Sequence, residues 1–438
     1  MRSVGRWITF GAIALSFIWA GSALGKPPGK KERPKNIIIM IGDGMGPEQV
    51  ESARLLDPDG KLVMDEMDPD PGSANTLNVF GEITDSAASG TALATGVKTA
   101  NGNISMAEDD ETVLPTSMEL AREKGKATGI LSSVYLCDAT PGVWVAHAPR
   151  RSCSTIIPQQ IDACPDVFLG PGGTEYRRGG KGKKAFDLVA EFVENCDYEE
   201  VTNAAELAAA QAPNDRLIGL WSGYSMYEID RQNDPGSNVP TLAEMTAKAI
   251  EVLSRDPDGF FLVVEGGGID WMAHNRDIAG TARDVVAFDD AVAVAYNFAS
   301  ADGDTLVVVT ADHETGGLQV GGSPDAEFIA GVTASTDLMY GLINRDGESA
   351  EDVLATYAGV TDLTQAEKDA IDAYGEMGIS DALSLRANVT WGWSGRDEGS
   401  HTATEVPVFA FGPGSGPFEG SIDNTDIGNE LFDVVEGN

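Results

Sequence analysis

Histidine is the scarcest chemical resource in this chain, with only His147, His274, His313 and His401. In EGGGIDWMAH, Asp270 and His274 are four residues apart, which puts both side chains on one face of a helical turn. Asp312 and His313 are adjacent, and His401 stands just before VPVFAF. Mixed carboxylate and imidazole donors suit zinc. A second set is all oxygen: Asp43, Asp138 and Glu265, with the Thr140 hydroxyl close to Asp138 in the chain. Oxygen donors suit magnesium, so the two sets together point to at least two metal ions, or three. Acids crowded at a buried rim repel one another unless a cation neutralises them.

The stretch TDSAASGTALATG (Thr84–Gly96) has two readings. Its tiny side chains suit a helix packed close against a sheet. Alternatively, Ser86 is a nucleophile at a helix start, where free N–H groups and the positive end of the dipole favour an anion.

Short apolar runs predict the strands that must position these groups: Asn36–Ile41, Ala127–Ser133, Arg216–Trp221, Phe260–Glu265, Thr305–Thr310 and Val406–Phe411. Helical patterns such as LPTSMELAREKG, TLAEMTAKAIEVLSRD and ARDVVAFDDAVAVAYNFA lie between them. The fold class is therefore α/β, with a large, mostly parallel central sheet covered by helices on both faces. Asp43, Asp138, Glu265 and Asp312 follow or end such strands, and ligands bind outside the carboxyl ends of strands in open sheets of this kind. Residues 321–394 contain a long acidic helix candidate, TQAEKDAIDAYGEMG, and no strong buried strand, and read as an insertion before VPVFAF returns to the sheet. YRRGGKGKKAF (Tyr176–Phe186) reads as a solvated basic loop.

Of the 438 residues, 69 are acidic and 30 are Lys or Arg, for a formal charge of −39. Such a surface repels nucleic acid and anionic membrane, and it suits high salt. Residues 1–25 have a basic start, an apolar run from Trp7 to about Ala20, and small residues at Ala23 and Gly25. They read as a secretory signal peptide cut near Gly25. The mature protein is expected to be periplasmic or secreted, with no stable membrane anchor. Export makes the four cysteines candidates for disulfides. Cys153 and Cys164 bracket what reads as a loop and are the favoured pair, leaving Cys137 and Cys196.

Six stretches, in order, resemble the alkaline phosphatase family: IGDGMG (41–46), TDSAASGTALATGVKTANG (84–102), DATPGVWVAHAPRRSC (138–153), VEGGGIDWMAH (264–274), TADHETGG (310–317) and GSHTATEVPVFAFGPG (399–414). The resemblance implies that Ser86 is the nucleophile. It implies two zinc ions, one on Asp270, His274 and His401 and the other on Asp43, Asp312 and His313. It further implies one magnesium on Asp43, Asp138, Thr140 and Glu265. Arg151 is the implied phosphate clamp, Asp85 the residue that positions it, and His147 a structural position. Trp271 stands near the phosphate where some members carry Lys or His. The implied substrates are phosphate monoesters, with inorganic phosphate released through a phosphoserine.

Family resemblance is also the ground for expecting a homodimer, and for reading residues 321–394 as the crown-like region between a core of 26–320 and a return at 395–438. A phosphodiesterase of the same superfamily is the competing enzyme reading, and Ser86 with Arg151 favours monoesters over it. A sulfatase would need a C-x-P-x-R motif, which DSAAS lacks. The non-enzymatic alternative, an acidic metal-binding surface protein, needs neither Ser86 nor Arg151.

Overall fold

The computed structural model describes residues 33–149, 152–176, 188–221, 227–234, 237–392 and 400–437. The predicted signal peptide, Arg151, residues 177–186 of the basic stretch and the predicted boundary at 394–395 lie outside the described residues.

Ten strands share one sheet. In chain order the strands begin β1 (Asn36–Ile41), β2 (Gly72–Asn75), β3 (Ala127–Ser132), β4 (Val167–Pro171), β5 (Glu199–Val201), β6 (Leu217–Trp221), β7 (Phe260–Glu265) and β8 (Thr305–Thr310). They continue with β9 (Glu314–Thr315), β10 (Leu318–Gln319), β11 (Thr390–Trp391), β12 (His401–Thr402), β13 (Val406–Phe411) and β14 (Ser421–Asp423). The sheet order is β14-β2-β13-β8-β1-β7-β3-β4-β6-β5. Only β13 runs against its neighbours, β8 and β2. Strands β1, β3, β7 and β8 are buried at every position, as strands covered on both faces must be.

Register decides where the chemistry goes. Ile41 pairs with Glu265 on one side and Thr310 on the other, and Ser132 pairs with Glu265. The carboxyl ends of β1, β3, β7 and β8 therefore reach one rim at one level. Two small antiparallel pairs complete the arrangement. β9 with β12 sets His401 opposite Thr315, and β10 with β11 joins the two ends of the region that follows. That region holds five helices between Ala326 and Ala387 and a second hydrophobic cluster around Ile329, Met339, Leu354 and Ile379. The single helix read in TQAEKDAIDAYGEMG is two, Gln365–Tyr374 and Glu376–Ala387, broken at Gly375.

The disulfides are Cys137–Cys153 and Cys164–Cys196, not the pairing favoured from sequence. Residues 153–163 form a helix rather than a loop. Its 11 residues put Cys153 and Cys164 roughly 16 Å apart, too far for a disulfide.

The helix Ser86–Thr95 is buried at all ten positions. Its small side chains admit a helix rather than the sheet as the close neighbour. Gly428, in the helix Asn424–Glu436, lies so near that a Cβ there would stand 2.4 Å from the Ala92 carbonyl oxygen and 2.5 Å from the Gly96 nitrogen.

Candidate active site

Segments that follow β1, β3 and β7, the start of the helix Ser86–Thr95, and His401 line a cavity of about 650 Å³. Asp43 follows β1 in the turn Gly42–Gly44. Gly44 has φ +72, and a Cβ on it would meet Asp270 and Thr315 at 2.9 Å. This turn accepts only glycine because the next layer of the site begins there. The Gly44 N–H donates to Asp312 Oδ1 at 3.1 Å, which ties the β1 and β8 loops together.

Ser86 opens its helix. Asp85 is the N-cap, accepting from the Ala88 N–H at 2.9 Å, and its other oxygen accepts from the Gly102 N–H at 2.8 Å. Both bonds hold the turn that presents Ser86. The Ser86 hydroxyl lies 3.2 Å from Nε2 of His313. That same nitrogen is 3.2 Å from Asp312 Oδ2 and 3.7 Å from Asp43 Oδ1. One ring nitrogen cannot serve three oxygens, whereas a cation among the four would satisfy them all. Asp43, Asp312 and His313 form one buried group of candidate ligands.

A second group surrounds Asp270. His274 Nε2 is 3.2 Å from Asp270 Oδ2 and 3.3 Å from His401 Nε2, and His401 Nε2 is 3.9 Å from Asp270 Oδ1. The rings of His313 and His401 stack with centroids 3.6 Å apart, and Asp270, His313 and His401 also form a compact ligand group. His313 thus stands between both sets, a position its sequence context did not reveal.

The oxygen-rich set lies behind Asp43. The Thr140 hydroxyl donates to Asp43 Oδ2 at 3.3 Å, and the Ser132 hydroxyl donates to Glu265 Oε2. Asp138 caps the short helix Ala139–Gly142 and lines the cavity.

These carboxylates are poorly placed without a cation. Burial, then the charges of Asp312, Asp270, Glu265 and Asp138, pushes Asp43 well above the usual carboxylate range. Burial lifts Glu265 to about 8 and Asp312 to about 7. Asp270 goes the other way: burial opposes its ionisation, but the imidazoles of His274, His313 and His401 outweigh that and hold it low. Asp43 Oδ1, Glu265 Oε1 and Asp312 Oδ2 are buried and accept no hydrogen bond from the described residues. Oxygens orphaned in this way, beside imidazoles, fit metal ions.

Several supporting residues carried no sequence signal. The Thr315 hydroxyl has one proton, which it donates to Asp270 Oδ1 at 2.6 Å. It must then accept from Nδ1–H of His313, 3.2 Å away, so that in the neutral ring Nε2 is the nitrogen free to face the cluster. The Thr84 carbonyl does the same for His401 Nδ1 at 3.0 Å, and the Ser400 hydroxyl meets His274 Nδ1 at 2.6 Å. Thr315 lies two residues past His313, so the short spacing was the only available clue. His147 faces elsewhere, with its nitrogens 2.9 Å from the Ser105 carbonyl and 2.9 Å from Glu119. Trp271 lines the cavity, with Tyr135 and Tyr227 beside it. A larger cavity of about 720 Å³ near Leu62 and Arg283 holds no clustered imidazoles among its described lining, so volume alone does not locate the chemistry. No helix among the described residues is long and apolar enough to cross a membrane.

The family profile described as "Alkaline phosphatase" matches residues 34–436. Alkaline phosphatase 3 of Bacillus subtilis is 32% identical over 98% of this chain and 95% of its own length. The alkaline phosphatase of Escherichia coli is 30% identical over 90% of this chain and 84% of its own. Among solved structures, a cold-active alkaline phosphatase from the psychrophile Shewanella sp. superposes with a TM-score of 0.80 at 30% identity, covering 91% of this chain and 99% of that one. That of Thermus thermophilus gives 0.82 at 27% identity, covering 96% and 95%.

Proposed function

The chain belongs to the alkaline phosphatase family and is a phosphoric monoester hydrolase, and from that premise we propose how its own residues carry the reaction. Asp270, His274 and His401 would hold one zinc, Asp43, Asp312 and His313 a second, and Asp43, Asp138, Thr140 and Glu265 a magnesium. The buried, unpartnered oxygens of Asp43, Asp312 and Glu265 support that assignment. Bound there, the ions supply positive charge to a dianionic ester and favour ionisation of a nearby hydroxyl.

Ser86 attacks phosphorus in line. Its Oγ–P bond forms as the ester P–O bond breaks, and the alcohol leaves with a proton. Water then adds from the opposite side and releases Ser86 and inorganic phosphate. Asp85 holds the helix start that aims Ser86. Arg151, two residues before Cys153 in the chain, is proposed as the bidentate clamp on the remaining oxygens, and Trp271 as a wall beside them. The net charge of −39 opposes substrate at long range, but bound ions would outweigh it locally and salt screens the remainder. We further take residues 1–25 as a signal peptide, the mature protein as periplasmic or secreted and a homodimer, and 321–394 as a crown-like insertion in a core of 26–320 and 395–438.

The single observation that carries this reading is the convergence of Ser86, Asp43 and Asp312 on His313 Nε2. The test is hydrolysis of p-nitrophenyl phosphate against its bis(p-nitrophenyl) diester, by protein stripped with chelator and refilled with zinc and magnesium. Monoester turnover should vanish on stripping and return only with both metals. Cleavage of the diester alone would make the protein a phosphodiesterase and remove Arg151 from its role. Metal binding with no cleavage of either would leave the acidic metal-binding reading.

A further inference from the structure

The residues around the phosphate position are nearly all charged or polar, yet one wall of the cavity is aromatic. Trp271 is half-buried there, its ring centroid 5.4 Å from that of Tyr135 and 6.4 Å from that of Tyr227. Both tyrosine rings are steeply inclined to the indole, at 63° and 62°. Such contacts restrict the indole, which lowers the ordering cost when a ligand packs on it.

The placement of this wall matters. In-line displacement puts the leaving oxygen opposite Ser86. Ser86 touches His313 of the one proposed ligand set, whereas Asp270 and His274 belong to the other. Trp271 belongs to the same short helix as both, Gly268–His274, three residues before His274 and hence on its face. The group that leaves therefore departs past Trp271. A wall that served only inorganic phosphate would have no use for apolar surface, and the described lining offers no Lys or Arg to a second phosphate.

We propose that Trp271, Tyr135 and Tyr227 form a leaving-group subsite that stacks a planar ring, so that the enzyme prefers nucleoside monophosphates to sugar phosphates. This rests on the proposed phosphomonoesterase site and adds a substrate class to it. Every nucleobase has a π-face, and stacking on one aromatic side chain changes affinity by about tenfold or more.

The test compares kcat/KM for adenosine 5′-monophosphate and ribose 5-phosphate with the zinc- and magnesium-loaded protein. Both release a primary alcohol, so leaving-group acidity cancels and only the base differs. The expected ratio favours the nucleotide by about tenfold and falls toward one in Trp271→Leu and in Tyr227→Leu. A wild-type ratio near one overturns the subsite while leaving the hydrolase reading intact, because ribose 5-phosphate is still cleaved. A ratio unchanged in both variants overturns the assignment to this wall. Hydrolysis of neither substrate would instead remove the site reading on which the inference rests.

Discussion

Ser86 Oγ and His313 Nε2 lie 3.2 Å apart, although the two residues are 227 positions apart in the chain. A serine beside a histidine invites comparison with a base-activated nucleophile, but the surroundings argue otherwise. The other nitrogen of His313 meets the Thr315 hydroxyl, not an orienting carboxylate. Its Nε2 faces two carboxylate oxygens as well as Ser86. These surroundings favour the proposed roles, with His313 as a ligand and Ser86 as a nucleophile that a bound cation would activate. Ser86→Ala should therefore cut turnover by several orders of magnitude and abolish acid-trapped phosphoenzyme, with the bound zinc and magnesium unchanged. Residual turnover within tenfold of wild type would show that Ser86 does not carry the phosphoryl group.

The crowded carboxyls make a pH prediction. Glu265 rises from an ordinary 4.5 to about 8 and Asp312 from 3.8 to about 7, in each case through burial first. Asp277 and Asp289 are likewise pushed up by burial to about 6. The folded, metal-free chain thus binds protons that an unfolded chain has already lost. The slope of unfolding free energy with pH is then negative, so metal-free stability falls as pH rises from about 4 to about 8. Asp270, held low, acts only below that window. Thermal melts of chelator-treated protein should show Tm dropping between about pH 5 and pH 8. Zinc and magnesium should restore it most at the upper end, with protons released on binding. A Tm that climbs across that range without metal would show that these carboxyls are not protonated in the fold.

Much of this arrangement was legible from sequence because the central strands carry continuous apolar runs, and β1, β7 and β8 end on or within two residues of Asp43, Glu265 and Asp312. β1, β7, β8 and β13 have the ends read from their sequences. Within the ten-stranded sheet, the four strands that gave no signal are short or mixed: GSAN, VFLGP, EEV and SID. They gain their conformation from a neighbour already in place, not from their own pattern. The cysteine pairing failed for a related reason. CSTIIPQQIDA looks like a loop bracketed by thiols, but Ile156, Ile157, Gln160 and Ile161 recur at helical spacing and are buried. Thr315, Ser132 and Ser400 were invisible because a hydroxyl that orients a ligand is locally no different from one that faces water.

The packing of the nucleophile helix is open to a one-residue test. Replacing a mid-helix glycine with alanine ordinarily stabilises by about 1 kcal/mol. At Gly428 the sign should reverse. The added carbon would stand 2.4 Å from the Ala92 oxygen and 2.7 Å from the Gly96 Cα, and backbone cannot yield as a side chain can. Gly428→Ala should cost about 1–3 kcal/mol in denaturant melts. It should also lower kcat, because the helix that moves is the one that presents Ser86. A stabilised variant with full activity would mean that the two helices are not in that contact.

Trp271 tests how tightly product is held. It lines the cavity one residue after Asp270 and supplies no charge to the phosphate proposed to bind there. A lysine at this half-buried position would add a charge-assisted hydrogen bond, of about 1.5–3 kcal/mol when formed to an anion. Trp271→Lys should therefore lower the inhibition constant for inorganic phosphate by about tenfold or more. If release of phosphate limits the cycle, kcat should fall in the same variant while single-turnover cleavage keeps its rate, since the added charge acts on product as strongly as on substrate. An inhibition constant that stays the same or rises would place the phosphate beyond the reach of residue 271. The aromatic wall would then be concerned with the leaving group alone.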